Sequence, residues 1–225
     1  MTPISDFKRL RPGLWVLCIL LISATAESQK NREAAQRAFD RGYQFQTGRG
    51  IMKNLEAAYL AYREAISLDP SYADAYYNFA QVCSDVLRFD LAELAYKNYL
   101  KFQPNEVTAI HDLGVVLHRQ GKYDAAIRQY RRALELNPNL SQAHYNLGNV
   151  YYALKKEDLA IQEWDRAIQL DPENETYLHR RERFARIKRQ KESPLSPDTV
   201  WWIMYGLGGV FVIYCLVYWA RRRKG

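Results

Sequence analysis

A block of 34 residues repeats through the middle of this chain, a constraint that few folds satisfy. Leu113-Gly114, Ala126, Tyr130, Ala133 and Pro138 reappear 34 positions later as Leu147-Gly148, Ala160, Trp164, Ala167 and Pro172. One period upstream the same slots hold Phe79-Ala80, Ala92, Tyr96, Tyr99 and Pro104. Within a repeat, positions 4, 7, 8 and 11 share one stripe of a first helix, and 20, 24 and 27 one stripe of a second. Small residues at 8 and 20 let the paired helices approach, so enlarging Ala126 or Ala160 should overpack them by about 1–3 kcal/mol. The rings at position 24 (Tyr96, Tyr130, Trp164) are expected to fill the space toward the neighbouring unit. Asp69-Pro70, Asn137-Pro138 and Asp171-Pro172 end the second helices, because proline disfavours the α conformation just before it.

These residues resemble the tetratricopeptide repeat (TPR) family, whose units are helix–turn–helix pairs. The resemblance implies an all-α, right-handed superhelical solenoid whose usual task is to hold another protein. Three repeats run 73–106, 107–140 and 141–174, and an irregular one precedes them over 35–72. Its second helix fits through Ala58, Tyr62, Ala65 and Pro70, and Gly42 takes the glycine slot of its first. Between them lie about four extra residues within 47–54, resembling the glycine-rich turn of Sel1-type repeats, where positive φ favours glycine. A helix over 175–191, with Leu178 in a packing slot, reads as the basic capping helix that a solenoid end requires.

Both ends of the chain point to a membrane. Residues 1–26 have a basic segment (Lys8, Arg9, Arg11), an apolar run Leu14 to Ile22, and the small-residue site Ala24-Thr25-Ala26, the order of a signal peptide. A lipoprotein reading through Cys18 is disfavoured, since Leu17 stands where a small residue is expected. Residues 200–220 carry no charge and would make about 31 Å of helix, enough for one transmembrane helix. Aromatic residues mark both of its boundaries, and the basic tail 221–225 follows. Residues 192–199, with two prolines, form a linker. Neither the sortase nor the exosortase processing motif stands before the span, which favours a retained anchor. A signal at the start places the repeats outside the cytoplasm, in a periplasm or lumen, with the tail cytoplasmic. Seven basic residues within 180–191 make the flank before the span basic as well, so charge alone does not set the orientation. They can also meet anionic lipid.

The net charge of +7 comes almost entirely from the two ends, which removes the argument for nucleic acid as a partner. Cys83 is the one cysteine between the signal and the span, so no internal disulfide forms there. It reads as a small apolar packing residue. The four histidines show no metal-ligand spacing, and no nucleophile or phosphate-loop motif is present. Asp124, Glu157 and Asp158 read as turn and cap chemistry. The chain is read as a non-enzyme with no cofactor.

Positions 2, 5, 9 and 12 of each first helix lie opposite the packing stripe and should line a concave groove. Position 5 holds Phe39, Tyr77, His111 and Tyr145, and position 6 holds Asn78, Asp112 and Asn146; Tyr43, Gln81, Asn149 and Tyr152 complete the peptide-binding groove. Rings offer contact area, and carboxamides pair with both faces of a peptide bond. On this reading Tyr77, Asn78, Tyr145 and Asn146 clamp a peptide or partner helix. The alternative role for the rings is to brace adjacent repeats. The lysine–asparagine–arginine clamp by which chaperone-binding members of the family hold a terminal carboxylate is absent at the matching positions. The favoured function is a membrane-anchored, extracytoplasmic interaction scaffold, a docking subunit of an envelope complex. Its rivals are a cytoplasmic tail-anchored adaptor and a self-associating structural spacer.

Overall fold

The computed structural model describes residues 12–48 and 53–192, which are helices and turns without a strand. The helices are α1 (Pro12–Thr47), α2 (Leu55–Leu68), α3 (Ala73–Asp85), α4 (Phe89–Phe102), α5 (Val107–Arg119), α6 (Tyr123–Leu136), α7 (Ser141–Ala153), α8 (Glu157–Leu170) and α9 (Glu175–Glu192). Every bound of α3 and α4 returns 34 residues on in α5 and α6, and again in α7 and α8. The chain divides into two compact units between Pro172 and Glu173.

In the first unit α1 pairs with α2, α3 with α4, α5 with α6 and α7 with α8, and each pair packs on the next. First helices of neighbouring pairs also meet, α1 with α3 and α5 with α7. Among the described residues, second helices of neighbouring pairs make no comparable approach. The first helices therefore form the inner wall of the stack. A first helix is enclosed by its own partner and by the preceding pair, so its buried stripe is wider than one heptad face. Ala75, Ala109 and Ala143 at position 3, and Val82, Val116 and Val150 at position 10, are fully or almost fully buried besides the expected positions. Position 4 is less enclosed than expected: Ile110 is buried, but Tyr76 and His144 are only partly so.

Besides reaching toward the neighbouring unit, as the Tyr96 hydroxyl does to Asp112, three of the rings at position 24 close on the glycine of their own unit. A methyl on Gly114 would stand 2.7 Å from the Tyr130 ring, one on Gly148 2.6 Å from Trp164, and one on Gly42 2.8 Å from Tyr62. Ring and glycine thus form one packing element, in which the absent Cβ makes room for the ring face.

Turns between paired helices share one geometry. Leu87, Gly121 and Lys155, all at position 15, have φ of 61°, 75° and 62°. The following amides of Arg88, Lys122 and Lys156 donate to the carbonyls of Cys83, Leu117 and Tyr151 at 2.7, 2.9 and 2.9 Å. Such a left-handed residue with a six-to-one hydrogen bond is the Schellman arrangement, which satisfies the orphan carbonyls of the ending helix. The second helices then start without a side-chain cap at Arg88, Lys122 or Lys156. Asp90, Asp124, Glu157 and Asp158 lie in their first turns, where a negative charge suits the helix dipole. At the far ends Asp69, Gln103, Asn137 and Asp171 take extended φ of −135°, −126°, −138° and −143° immediately before a proline.

The first repeat departs from the rest at both ends of α1. Gly48 has φ +72° and opens the lengthened turn, and Asn54 caps α2 through a 2.9 Å bond from the Ala57 amide. The remainder of the Sel1-like turn, 49–52, lies outside the described residues. Burial begins at Ala34 and Ala35, where the repeat was expected to start, yet the helix itself extends back to Pro12. It runs unbroken through Ala24-Thr25-Ala26, and Leu20, Leu21 and Ile22 are about 60% exposed. No described helix is long and apolar enough to cross a membrane. The expected span 200–220 and tail 221–225 lie outside the described residues, as does the linker beyond Glu192. In the second unit α9 buries Tyr177 and Phe184 rather than Leu178, which is only half-buried.

Candidate interaction groove

The residues predicted to line a groove do fall on the first helices, but several of them are joined to one another. Tyr77 Oη donates to Asp112 Oδ2 at 3.2 Å, and His111 Nε2 meets Asn146 Nδ2 at 2.9 Å. Both pairs link position 5 of one repeat to position 6 of the next, 35 residues along. Gln46 Nε2 to Gln81 Oε1, at 3.4 Å, spans the same interval one repeat earlier. His111 Nδ1 lies 3.0 Å from Asp112 Oδ1. The tautomer with its proton on Nδ1 satisfies both ring nitrogens, donating to Asp112 and accepting from Asn146. A polar ladder therefore runs along the inner wall and braces adjacent repeats.

A second set of groups reaches this wall from behind. Polar tips of position-24 rings meet side chains of the first helices. Tyr62 Oη donates to Gln46 Oε1 at 2.6 Å, and Trp164 Nε1 donates to Asn149 Oδ1 at 3.2 Å. The Tyr96 hydroxyl pairs with the Asp112 carboxylate. Burial, then the charge of Asp112, pushes the hydroxyls of Tyr77 (to about 12), Tyr96 and Tyr130 above the usual phenol range. Sequence reasoning missed these tips because they belong to the second helix of each pair. The available signal was the recurrence of a ring with a polar end at position 24.

The other predicted residues divide by accessibility. Phe39 packs 5.0 Å from the Tyr72 ring and 5.6 Å from Tyr62, against the buried Ala38, Ala65 and Ala75. It belongs to the interface between the first two pairs more than to a groove. His111 is buried and 5.7 Å from the Tyr130 ring. Tyr43 is exposed, while Asn78, Gln81, Tyr145, Asn149 and Tyr152 are half-exposed on the wall. Tyr152 stands 5.7 Å from Trp164. The surface open to a guest is thus a mixture of rings and carboxamides between the rungs of the ladder. Cys83 is fully buried and unpaired; burial pushes its thiol up to about 12, so it is a packing group and not a nucleophile. No cluster of metal-binding side chains occurs among the described residues.

Stacked helix pairs with an accessible inner wall define a helical-repeat scaffold of the protein-interaction class. Residues 52–83 and 114–155 match the TPR repeat model, and 141–174 match the tetratricopeptide repeat model, so these segments are tetratricopeptide repeats. Solved structures share the fold. YrrB, described as a TPR protein with an unusual peptide-binding site, has a TM-score of 0.62 at 20% identity, over 72% of this chain and 87% of its own. A structure from the characterisation of Pseudomonas aeruginosa pilF gives 0.59 at 24%, over 72% of each chain. MamA from Desulfovibrio magneticus RS-1 gives 0.59 at 21%, over 73% of this chain and 86% of its own. These likenesses establish the fold. No curated protein sequence matches the chain.

Proposed function

We propose that this chain is a tethered docking scaffold, whose inner wall holds a peptide or helix of a partner protein beside a membrane. The observation that carries the docking half is the inner wall itself. Rings and carboxamides of Tyr43, Asn78, Asn149 and Tyr152 stay accessible there, beside the buried stripe of each first helix. Accessible aromatic and amide groups on a rigid concave scaffold suit an extended or helical guest. The likeness to a TPR protein with a peptide-binding site supports the same reading.

The membrane half rests on sequence. An uncharged stretch over 200–220, bounded by aromatic residues and followed by Arg221 to Lys224, suits a single span. The order of basic, apolar and small residues over 1–26 suits a secretory signal, and Leu20 to Ile22 take no part in the solenoid core. Together they favour repeats outside the cytoplasm, as a docking part of an envelope complex. A second reading, a tail-anchored adaptor inside the cell, is favoured by the basic residues of 180–191 on the other flank of the span. Protease treatment of spheroplasts separates the two: loss of the repeats supports the first, and protection supports the second.

Photo-crosslinking in living cells tests the docking claim. A benzophenone amino acid at Asn78 or Gln142, on the inner wall, should yield adducts with another protein. The same probe at Leu94 or Arg128, on second helices, should not. Equal adducts from both faces, or none from the inner one, contradict the proposal.

A further inference from the structure

The second helices carry an apolar stripe on one pair. Leu87, in the turn before α4, and Leu91, Leu94 and Phe102 of α4 are all exposed, Leu87 at 73% and Leu94 at 58%. A single exposed leucine is ordinary, but a succession along one helix face is not. Leu91, Leu94 and Asn98 follow one another at the alternating short spacing of a helix-pairing seam. In α2 the residue matching Leu94 is Leu60, also exposed. In α6 and α8 the same place holds Arg128 and Gln162.

Two further observations set α4 apart. Leu87 holds a left-handed φ of 61° where the next repeat has Gly121. Such a leucine strains the backbone, and its exposed side chain gains no packing within the chain to offset that strain. The charges at the two ends of α4 are also unanswered. Asp90, in the first turn, accepts from the Gln120 carboxamide at 2.9 Å, and Lys101, in the last turn, donates to Asn98 at 2.8 Å. Neither forms an ion pair among the described residues, whereas Glu93 between them meets both Lys97 and Lys122.

We infer that α4 pairs with α4 of a second copy of this chain, antiparallel, about a two-fold axis that crosses α2 and α4 near Leu60 and Leu94. That axis sets each of these two leucines against its own counterpart. Leu87 and Phe102 lie equally far from the middle of the stripe, so reversal brings each Leu87 opposite the second copy's Phe102. Asp90 and Lys101 share one flank of the helix, and the same reversal sets Asp90 beside the second copy's Lys101. A parallel match would instead oppose Asp90 to Asp90. Apolar contact supplies the affinity and the charges fix the direction. The seam ends where Arg128 takes the place of leucine. The inner wall takes no part, so this pairing stands apart from the docking reading and leaves the groove open.

Photo-crosslinking and sedimentation of the full-length chain test the pairing. A benzophenone amino acid at Leu94 or Leu60 should join two copies into an adduct of twice the chain's mass, distinct from the adducts of the inner wall. The same probe at Gln162 should not. Sedimentation equilibrium in density-matched detergent reads the strength, with circular dichroism confirming that each variant keeps its helices. Leu94→Lys, at the centre of the seam, should weaken pairing about tenfold. Asp90→Lys should weaken it severalfold, and the swap Asp90→Lys/Lys101→Asp should restore it, which a contact elsewhere in the chain would not do. Leu94 adducts of another mass, none at all, or equal yields from Leu94 and Gln162 overturn the inference. A swap that pairs no better than Asp90→Lys alone overturns it as well. None of these outcomes bears on the inner-wall crosslinks, whose absence would remove the docking reading alone.

Discussion

Gly148 leaves no room for one more carbon between α7 and the Trp164 indole. Its added methyl would also stand 3.1 Å from the Ala160 carbonyl, which is backbone and cannot swing aside. Gly148→Ala should therefore destabilise the chain by about 1–3 kcal/mol, and more than Gly114→Ala, where only the Tyr130 ring must move. Urea titration followed by circular dichroism reads the difference. Leu87 and Lys155 present the opposite case, since each holds a left-handed φ without being glycine, and both side chains are exposed. Leu87→Gly or Lys155→Gly should stabilise by about 1 kcal/mol, by relieving the steric cost of that conformation. A fall in melting temperature for either would show that its side chain contributes more than the turn strain costs. Tyr130→Phe removes a buried hydroxyl without a partner and should leave stability unchanged or raise it by about 1 kcal/mol. A clear loss in the same titration would mean that the hydroxyl has a partner.

At the scale of the element, one carboxylate ties α4 to the turn before α6. Glu93 Oε1 lies 2.6 Å from Lys97 Nζ, and Oε2 lies 2.7 Å from Lys122 Nζ. Burial alone would raise its pKa, but hydrogen bonds from Lys122 and Lys97 outweigh it and hold the carboxyl at about 2. The folded value is below the ordinary one of 4.5, so this contribution is complete above that pH and is lost as pH falls toward 2. Both lysines are half-exposed, which lowers the effect to about 1–2 kcal/mol. Glu93→Gln should cost that much at neutral pH and nothing near pH 2, measured by denaturant titration across the range. A constant difference at every pH would assign the loss to packing instead of charge. The elements themselves were largely legible in the sequence. The 34-residue period placed α3 to α8, and the Asp-Pro and Asn-Pro pairs placed the ends of second helices; the recurrent glycines were read as room for helix approach, and the ring that occupies this room was not foreseen. The turn geometry was visible only at Gly121, because Leu87 and Lys155 adopt the same φ without the residue that signals it. Positions 3 and 10 were missed because a single-helix stripe ignores the preceding pair, which encloses the first helix from a second side.

For the whole molecule, stability is expected to be local, since each pair in the first unit touches only its neighbours. Hydrogen exchange should be slowest in α4 to α6, inside the stack, and fastest over residues 20–33 of α1, whose side chains are all exposed. Uniform protection along α1 would mean that this stretch packs against something further. The groove was legible as a face but not as a site. Helical spacing identified the accessible positions, whereas the Asp112 network depends on ring tips from second helices and on pairing 35 residues apart. Phe39 and His111 shared the spacing of the accessible rings, and contacts with the adjacent pair turned them inward.

Side-chain accessibility tests the docking account most directly. Hydroxyl-radical footprinting, read by mass spectrometry on the purified chain and on the chain in spheroplasts with its partners present, reports each ring separately. Protection of Tyr43, Tyr77 and Tyr152 with no change at Leu60, Leu94 and Phe102 is the predicted result. Protection confined to those second-helix residues, with the inner-wall tyrosines still fully oxidised, would contradict it.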